Sequence, residues 1–180
     1  CIGRSKRRSL QAWAIQPFEC ALMTSTELTS PRAWAGTLIG IHEYFRRLSG
    51  DRLVNQVRET LTNRLIDIYQ RSASDAWPWF EEILSYDNAR LPHALILSGR
   101  WTGNAVALEI GLRALRWLAG MQRSPRGHFR PIGSNGFYPR GGERARFDQQ
   151  PVEVQGMVSA CLEAYRVTND PRWRKEARRA

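Results

Sequence analysis

Tyr44-Phe45-Arg46-Arg47-Leu48-Ser49-Gly50-Asp51-Arg52-Leu53 joins two helical patterns through a two-residue turn, and Ala164-Tyr165-Arg166-Val167-Thr168-Asn169-Asp170-Pro171-Arg172-Trp173 repeats the joint. Each places an aromatic near the end of one helix and an Asp as the cap of the next. Leu97-Ser98-Gly99-Arg100-Trp101-Thr102-Gly103-Asn104 is a looser third copy. Working outward, Ser30-Pro31 starts a helix with Trp34, Leu38, Ile41 and Phe45 on one face, and the next carries Leu53, Val57, Leu61, Leu65 and Ile68. Further helices are predicted over Asn88–Leu97, Asn104–Met121 and Pro151–Arg166, with a sixth starting at Asp170-Pro171. The joints recur every ~50 to 65 residues, which predicts an all-α stack of antiparallel helical hairpins and excludes an alternating α/β sheet. Residues 1–29 give no clear assignment, and residues 30–180 form one domain. The start at Cys1 and a last helix without a stop signal are expected of a piece of a longer protein.

Two connections break the pattern. Residues 73–87 crowd Trp77, Pro78, Trp79 and Phe80 together, and residues 124–150 are rich in Gly, Pro and Arg. The longer one predicts a short β-hairpin turning near Asn135-Gly136 or Gly133-Ser134. A loop of this length in a helical domain, dense in aromatics and turn residues, is expected to be ordered and functional.

The formal charge of +10 resembles a nucleic-acid signature until it is located. Arg4, Lys6, Arg7 and Arg8 contribute +4, and the stretch from Arg172 to Ala180 another +4, so residues 9–171 carry only +2. Arg is spread over every segment rather than gathered on one element, so no nucleic-acid partner is expected. The uncharged run beginning at Ala33 ends at His42, far short of the ~20 residues of a membrane span. Cys1, Cys20 and Cys161 form no CxxC pair, and His42, His93 and His128 stand far apart. Neither a metal site nor a disulfide framework is expected, and no cofactor is implied. With no apolar leader core at the start, the expected location is cytoplasmic.

Chemistry concentrates at helix ends facing the long connections. Trp77 or Trp79 would stack on the apolar face of a sugar ring. Asn88, Arg90, Asn135, Arg140 and Gln149 would grip hydroxyls, and Asp87, Asp148 and Glu153 are the candidate catalytic carboxylates. Glycoside hydrolysis needs two carboxyls ~5 to 10 Å apart across the bond, one of them with a raised pKa. Each residue also has a plain structural reading. Asp87 would cap the helix that follows, Glu153 would sit in the favourable first turn after Pro151, Glu81 and Glu82 would be solvated, and the two Trp would be core.

At these residues, the run from Trp77 to Glu109, Pro131-Ile132-Gly133-Ser134-Asn135-Gly136 and Phe147-Asp148-Gln149-Gln150-Pro151-Val152-Glu153, the chain resembles a bacterial helical-toroid domain of six-hairpin glycosidase-like architecture. That domain is found with glycosyltransferases of polysaccharide synthesis. The resemblance covers residues 30–180 and implies a partial (α/α) toroid of about three hairpins, a glycan or sugar substrate, and a glycosyltransferase as partner domain. It assigns no nucleophile or acid. A sugar-nucleotide transferase would also need an α/β nucleotide-binding domain, and this chain has none. The rival expectation is a non-catalytic helical-repeat module that binds glycan or docks onto a glycosyltransferase.

Overall fold

The computed structural model describes residues 5–48 and 50–180. Cys1 and Arg4, and Ser49 of the first joint, lie outside the described residues. Among the described residues seven helices follow one another: α1 (Arg8–Ser25), α2 (Pro31–Phe45), α3 (Arg52–Ser72), α4 (Arg90–Thr102), α5 (Ala105–Met121), α6 (Pro151–Thr168) and α7 (Pro171–Arg179). Two short strands, β1 (Ile83–Leu84) and β2 (Tyr138–Pro139), complete the described elements.

The joints start their helices as their sequence predicts. Asp51 accepts from the Val54 amide, Asn104 from the Ala107 amide and Asp170 from the Arg172 amide. Each such cap is worth ~1 kcal/mol because it satisfies a donor that the first helical turn leaves open. Gly103 and Asn169 end α4 and α6 in the left-handed region, at φ 72° and 53°.

Helix α4 is the hub. It packs against α2, α5, α6 and α3, while α3 also lies on α2 and α7 on α6. Two glycines let α4 and α5 approach closely. A Cβ at Gly99 would stand 2.6 Å from the Leu108 amide, and one at Gly111 would stand 2.8 Å from Ile96 Cγ1. A helical glycine costs ~1 kcal/mol relative to alanine, and the backbone contact it permits offsets that loss. Leu91, Leu95, Ile96, Leu115 and Leu118 fill the seam.

The connection between α3 and α4 feeds an aromatic cluster. Trp77 stands edge-on to Trp117 and Tyr138, Trp79 meets Phe80 and Trp117, and Phe80 meets Tyr69. Both tryptophans are buried, Trp79 completely. They act here as core, holding residues 77–80 against α3 and α5.

Three expectations change. Residues 8–25 form a helix that the sequence pattern leaves unassigned: Pro17 interrupts its interior, and it packs only one side, through Ile15, Phe18 and Leu22, near α2. The long loop has no hairpin at Asn135-Gly136. Its strand β2 pairs antiparallel with β1, Ile83 opposite Pro139 and Leu84 opposite Tyr138, and the Arg140 amide extends the ladder to the Glu82 carbonyl. The loop's own antiparallel contact is Arg123 against Phe129, closed by the Ser124 amide on the His128 carbonyl. Finally, Leu53 lies exposed, because the buried face of α3 is rotated toward Val54.

Candidate functional site

The turn before α4 builds the site. Asn88 bonds back to Ser85 twice, its Oδ1 accepting from the Ser85 amide and its Nδ2 donating to the Ser85 carbonyl, both at 3.0 Å. This closed turn puts Asp87 at φ 47°, a left-handed conformation that a non-glycine residue rarely adopts. Arg32 of α2 braces the turn from outside. It donates to the Tyr86 carbonyl at 2.6 Å and, through Nη1, to both carboxylate oxygens of Glu81.

Asp87 does not cap α4. The N-cap is Ala89, and the Asp87 carboxylate turns instead to Arg90, Oδ2 lying 2.5 Å from Nε. Its Oδ1 is buried and has no hydrogen-bond partner. Burial pushes this carboxyl above its ordinary range, and the charges of Arg90 and Arg32 only partly oppose the shift.

Asp87 and Arg90 open onto a cleft of about 300 Å³ lined by three helices. From α2 come Gly36, Ile39, His42 and Glu43, with Arg46 at its C-cap; from α4, His93 and Leu97; from α6, Gln155, Gly156, Ser159, Glu163 and Arg166. Two glycines keep its floor clear. A Cβ at Gly36 would approach Arg90 Nη1 to 3.2 Å, and one at Gly156 would approach Asp87 Oδ1 to 3.1 Å.

The groups in this cleft titrate in opposite senses. Burial raises Glu163, but the guanidiniums of Arg166 and Arg100, bonded to its two oxygens at 2.8 and 2.6 Å, outweigh burial and hold it below the usual carboxylate range. Burial takes His93 down to about 4 against the attraction of Glu163, so this imidazole is neutral at pH 7. His42 is also lowered, by burial first. One carboxyl is thus raised and another in the same cleft lowered, so their pKa values are pushed apart, as in a pair of groups given acid and base roles.

Glu153 stands behind this arrangement rather than in the cleft lining. Only 1% exposed, it accepts from the Asn88 amide at 3.3 Å, from Asn88 Nδ2 at 3.2 Å and from Gln122 Nε2 at 2.8 Å. Burial raises its pKa, and these bonds oppose the rise. Its geometry is that of a staple tying the turn of Asp87 to both ends of the long loop.

The remaining sequence-predicted residues scatter. Asp148 is exposed at φ 60°, and its carbonyl accepts from the Ser134 amide and hydroxyl. Gln149, also exposed, donates to the Arg146 carbonyl. Arg140 ties the loop to the end of α3 through the Ser72 carbonyl and to the connection after it through Ser74 Oγ and Glu82. Asn135 lines a separate cleft within the loop. The structure therefore joins Asp87, Asn88, Arg90 and Glu153, and leaves Trp77, Trp79, Asp148, Gln149, Asn135 and Arg140 elsewhere.

Sequence reasoning missed His42, His93, Glu163 and Arg166. The signal on α6 was a polar stripe at helical spacing, Gln155, Ser159, Glu163 and Arg166, which reads as a solvated face until two other helices are set beside it. Among the described residues no group of three or more His, Cys, Asp or Glu is placed to hold a metal ion. No described helix is long and apolar enough to cross a membrane. Comparison with protein families, with curated proteins and with solved structures finds no match for this chain.

Proposed function

We propose that this chain is a carbohydrate-active domain, and that the cleft at Asp87 is where it holds and acts on a glycan. The observation that carries this reading is Asp87 itself: a buried carboxyl in a strained turn, beside an open cleft kept free of side chains by Gly36 and Gly156. The cleft is polar, and its charges come in matched pairs, Arg90 with Asp87, Arg46 with Glu43 and Arg166 with Glu163. Paired charges offer donors and acceptors side by side without net charge, which suits the hydroxyls of a sugar.

In this reading Asp87 is the proton donor, its pKa raised by burial. Glu163 remains ionised and stabilises positive charge at the reacting carbon, as the second carboxylate of a glycosidase does. His93 and Gln155 orient hydroxyls. The row α2–α4–α6, with α3, α5 and α7 behind it, is part of the inner wall of an (α/α) toroid whose remaining hairpins lie elsewhere. The domain serves cytoplasmic bacterial polysaccharide metabolism next to a glycosyltransferase.

The test is a glycan array with the full chain and its Asp87→Asn variant, followed by an assay for released reducing ends on every glycan retained. The reading expects binding by both proteins and turnover by the parent alone. A well-folded parent that retains no glycan would overturn it.

The second reading, a docking module without chemistry, is favoured by Leu10, Trp13 and Met23, all exposed on α1. It expects binding to a glycosyltransferase that Trp13→Ala weakens, and no turnover.

A further inference from the structure

The long loop contains a second cleft, of about 500 Å³, lined by Arg130, Arg144, Arg146, Glu143, Asn135 and Phe147. It is built rather than incidental. Arg144 reaches under the loop to donate to the carbonyls of Met121, Arg130 and Pro131. The Gly133 amide bonds the Ala145 carbonyl and the Ala145 amide bonds the Phe137 carbonyl, lacing the two arms together. A Cβ at Gly133 would overlap the Phe147 carbonyl, so only glycine permits this crossing.

The lacing presents an unusual combination. Phe147 is 74% exposed, the most exposed large apolar side chain among the described residues. Three guanidiniums share its cleft with a single acid, Glu143, and Arg130 and Arg146 form no ion pair among the described residues. The burial of Arg144 and the charge of Arg130 both work against Arg144 keeping its proton. Like charges held together around an exposed ring call for an anion that also offers a flat apolar face.

We infer that this cleft binds an acidic polysaccharide, a chain of uronate-type sugars whose carboxylates meet Arg130 and Arg146 while a ring face lies on Phe147. The inference rests on the glycan reading above and names the class of glycan. A nucleic acid would match the charge, but it is favoured by a groove of several stacking rings tracking a backbone, and this cleft offers one. Near the C-terminus, Arg172 is paired with Asp170 and Arg179 with Glu176, which also takes Arg123.

The test compares binding of the full chain to polygalacturonate, alginate and hyaluronan with binding to methyl-esterified polygalacturonate and dextran. Arg130→Gln with Arg146→Gln removes two charges at the cleft, and Arg113→Gln with Arg172→Gln removes two elsewhere. Phe147→Ala removes the ring, and melting curves confirm that each variant folds. At least one acidic polymer is expected to bind at least tenfold more tightly than the neutral ones, less so as salt rises. The cleft pair should lose about tenfold or more, the control pair far less, and Phe147→Ala should weaken binding too. Equal affinity for acidic and neutral polymers, or equal loss in both charge pairs, would overturn the inference while leaving the glycan reading intact. Binding to none of these polymers would also overturn the inference, while the glycan array decides the reading above. Tighter binding to single-stranded DNA with the same arginine dependence would replace the acidic glycan with a nucleic acid.

Discussion

Gln122 donates its side-chain amide to Glu153 at 2.8 Å, and this one bond joins the C-cap of α5 to the first turn of α6 across the whole long loop. Because Glu153 also holds Asn88, the loop and the turn that carries Asp87 share a single buried anchor.

Removing that anchor should cost more than an average core change. Glu153→Ala takes the acceptor from two buried side-chain amides and one backbone amide, a loss of about 3 kcal/mol or more. Glu153→Gln should be far milder. Gln122 Oε1 is buried without a partner, so a rotated Gln122 amide meets the new one donor to acceptor. Burial also disfavours the ionised Glu153, and the neutral variant escapes that penalty. Chemical denaturation of the two variants checks the order. Equal losses would show that the carboxylate itself, not the bonding pattern, is what α6 needs.

The contacts of Gly156 place a second constraint on the site. A methyl group there would press on Asp87 Oδ1 at 3.1 Å and on Ala89 Cβ at 3.5 Å. Gly156→Ala gains helix propensity of ~1 kcal/mol, so overall stability should change by less than about 1 kcal/mol. Function should change more, since the strained turn has to shift. The expected result is a near-native melting curve with glycan affinity or turnover reduced at least several-fold. Unchanged binding and turnover would separate Asp87 from the working site.

Much of the fold was legible, for local reasons. Ser30-Pro31, Asp51, Asn104 and Asp170 each announce a helix start within a few residues, and α2, α3, α5 and α7 begin where those residues stand. What failed was non-local. Tyr138 pairs with Leu84, 54 residues earlier, so a turn signal inside the loop could not reveal β2's partner. The site divides in the same way. Asp87, Asn88 and Arg90 are sequence neighbours in one turn and were found together, whereas Glu163 and His42 join them only after α2, α4 and α6 pack. Trp77 and Trp79 read as sugar platforms because a run of aromatics looks the same in a core as in a binding face.

Acid should find a weak point at His93. Its imidazole is pushed down to about 4 in the folded chain, against 6.5 for an unperturbed histidine, so the unfolded chain binds the extra proton first. Stability from this residue is complete above pH 6.5 and is lost as pH falls from 6.5 toward 4. Asp87 and Glu153, both raised, work the other way: they favour the fold at low pH and withdraw that support as pH rises through their folded values. His93→Gln removes only the first contribution. Its melting midpoint should fall less than the parent's between about pH 6.5 and 4.5, and parallel curves would show that His93 is protonated in the fold.

A close backbone contact between α4 and α5 offers the last prediction. Gly111 faces Ile96, where a Cβ would lie 2.8 Å from Cγ1 and 3.0 Å from the Ile96 amide and the Pro92 carbonyl. A methyl group at this point cannot be absorbed by one flexible side chain, because two of the three neighbours are backbone. Gly111→Ala should therefore lose about 1–3 kcal/mol despite its better helix propensity, and Gly120→Ala, on the same helix with nothing within 4 Å, should be neutral or stabilising by up to ~1 kcal/mol. The displaced segment would be the first two turns of α4, directly after Asp87, so the first variant should also weaken any ligand held in the cleft. Urea melts of the pair, read with ligand binding for each, test whether α4 is seated by α5. Similar stabilities for the two variants would mean that the helices separate at little cost and that the position of Asp87 does not depend on this contact.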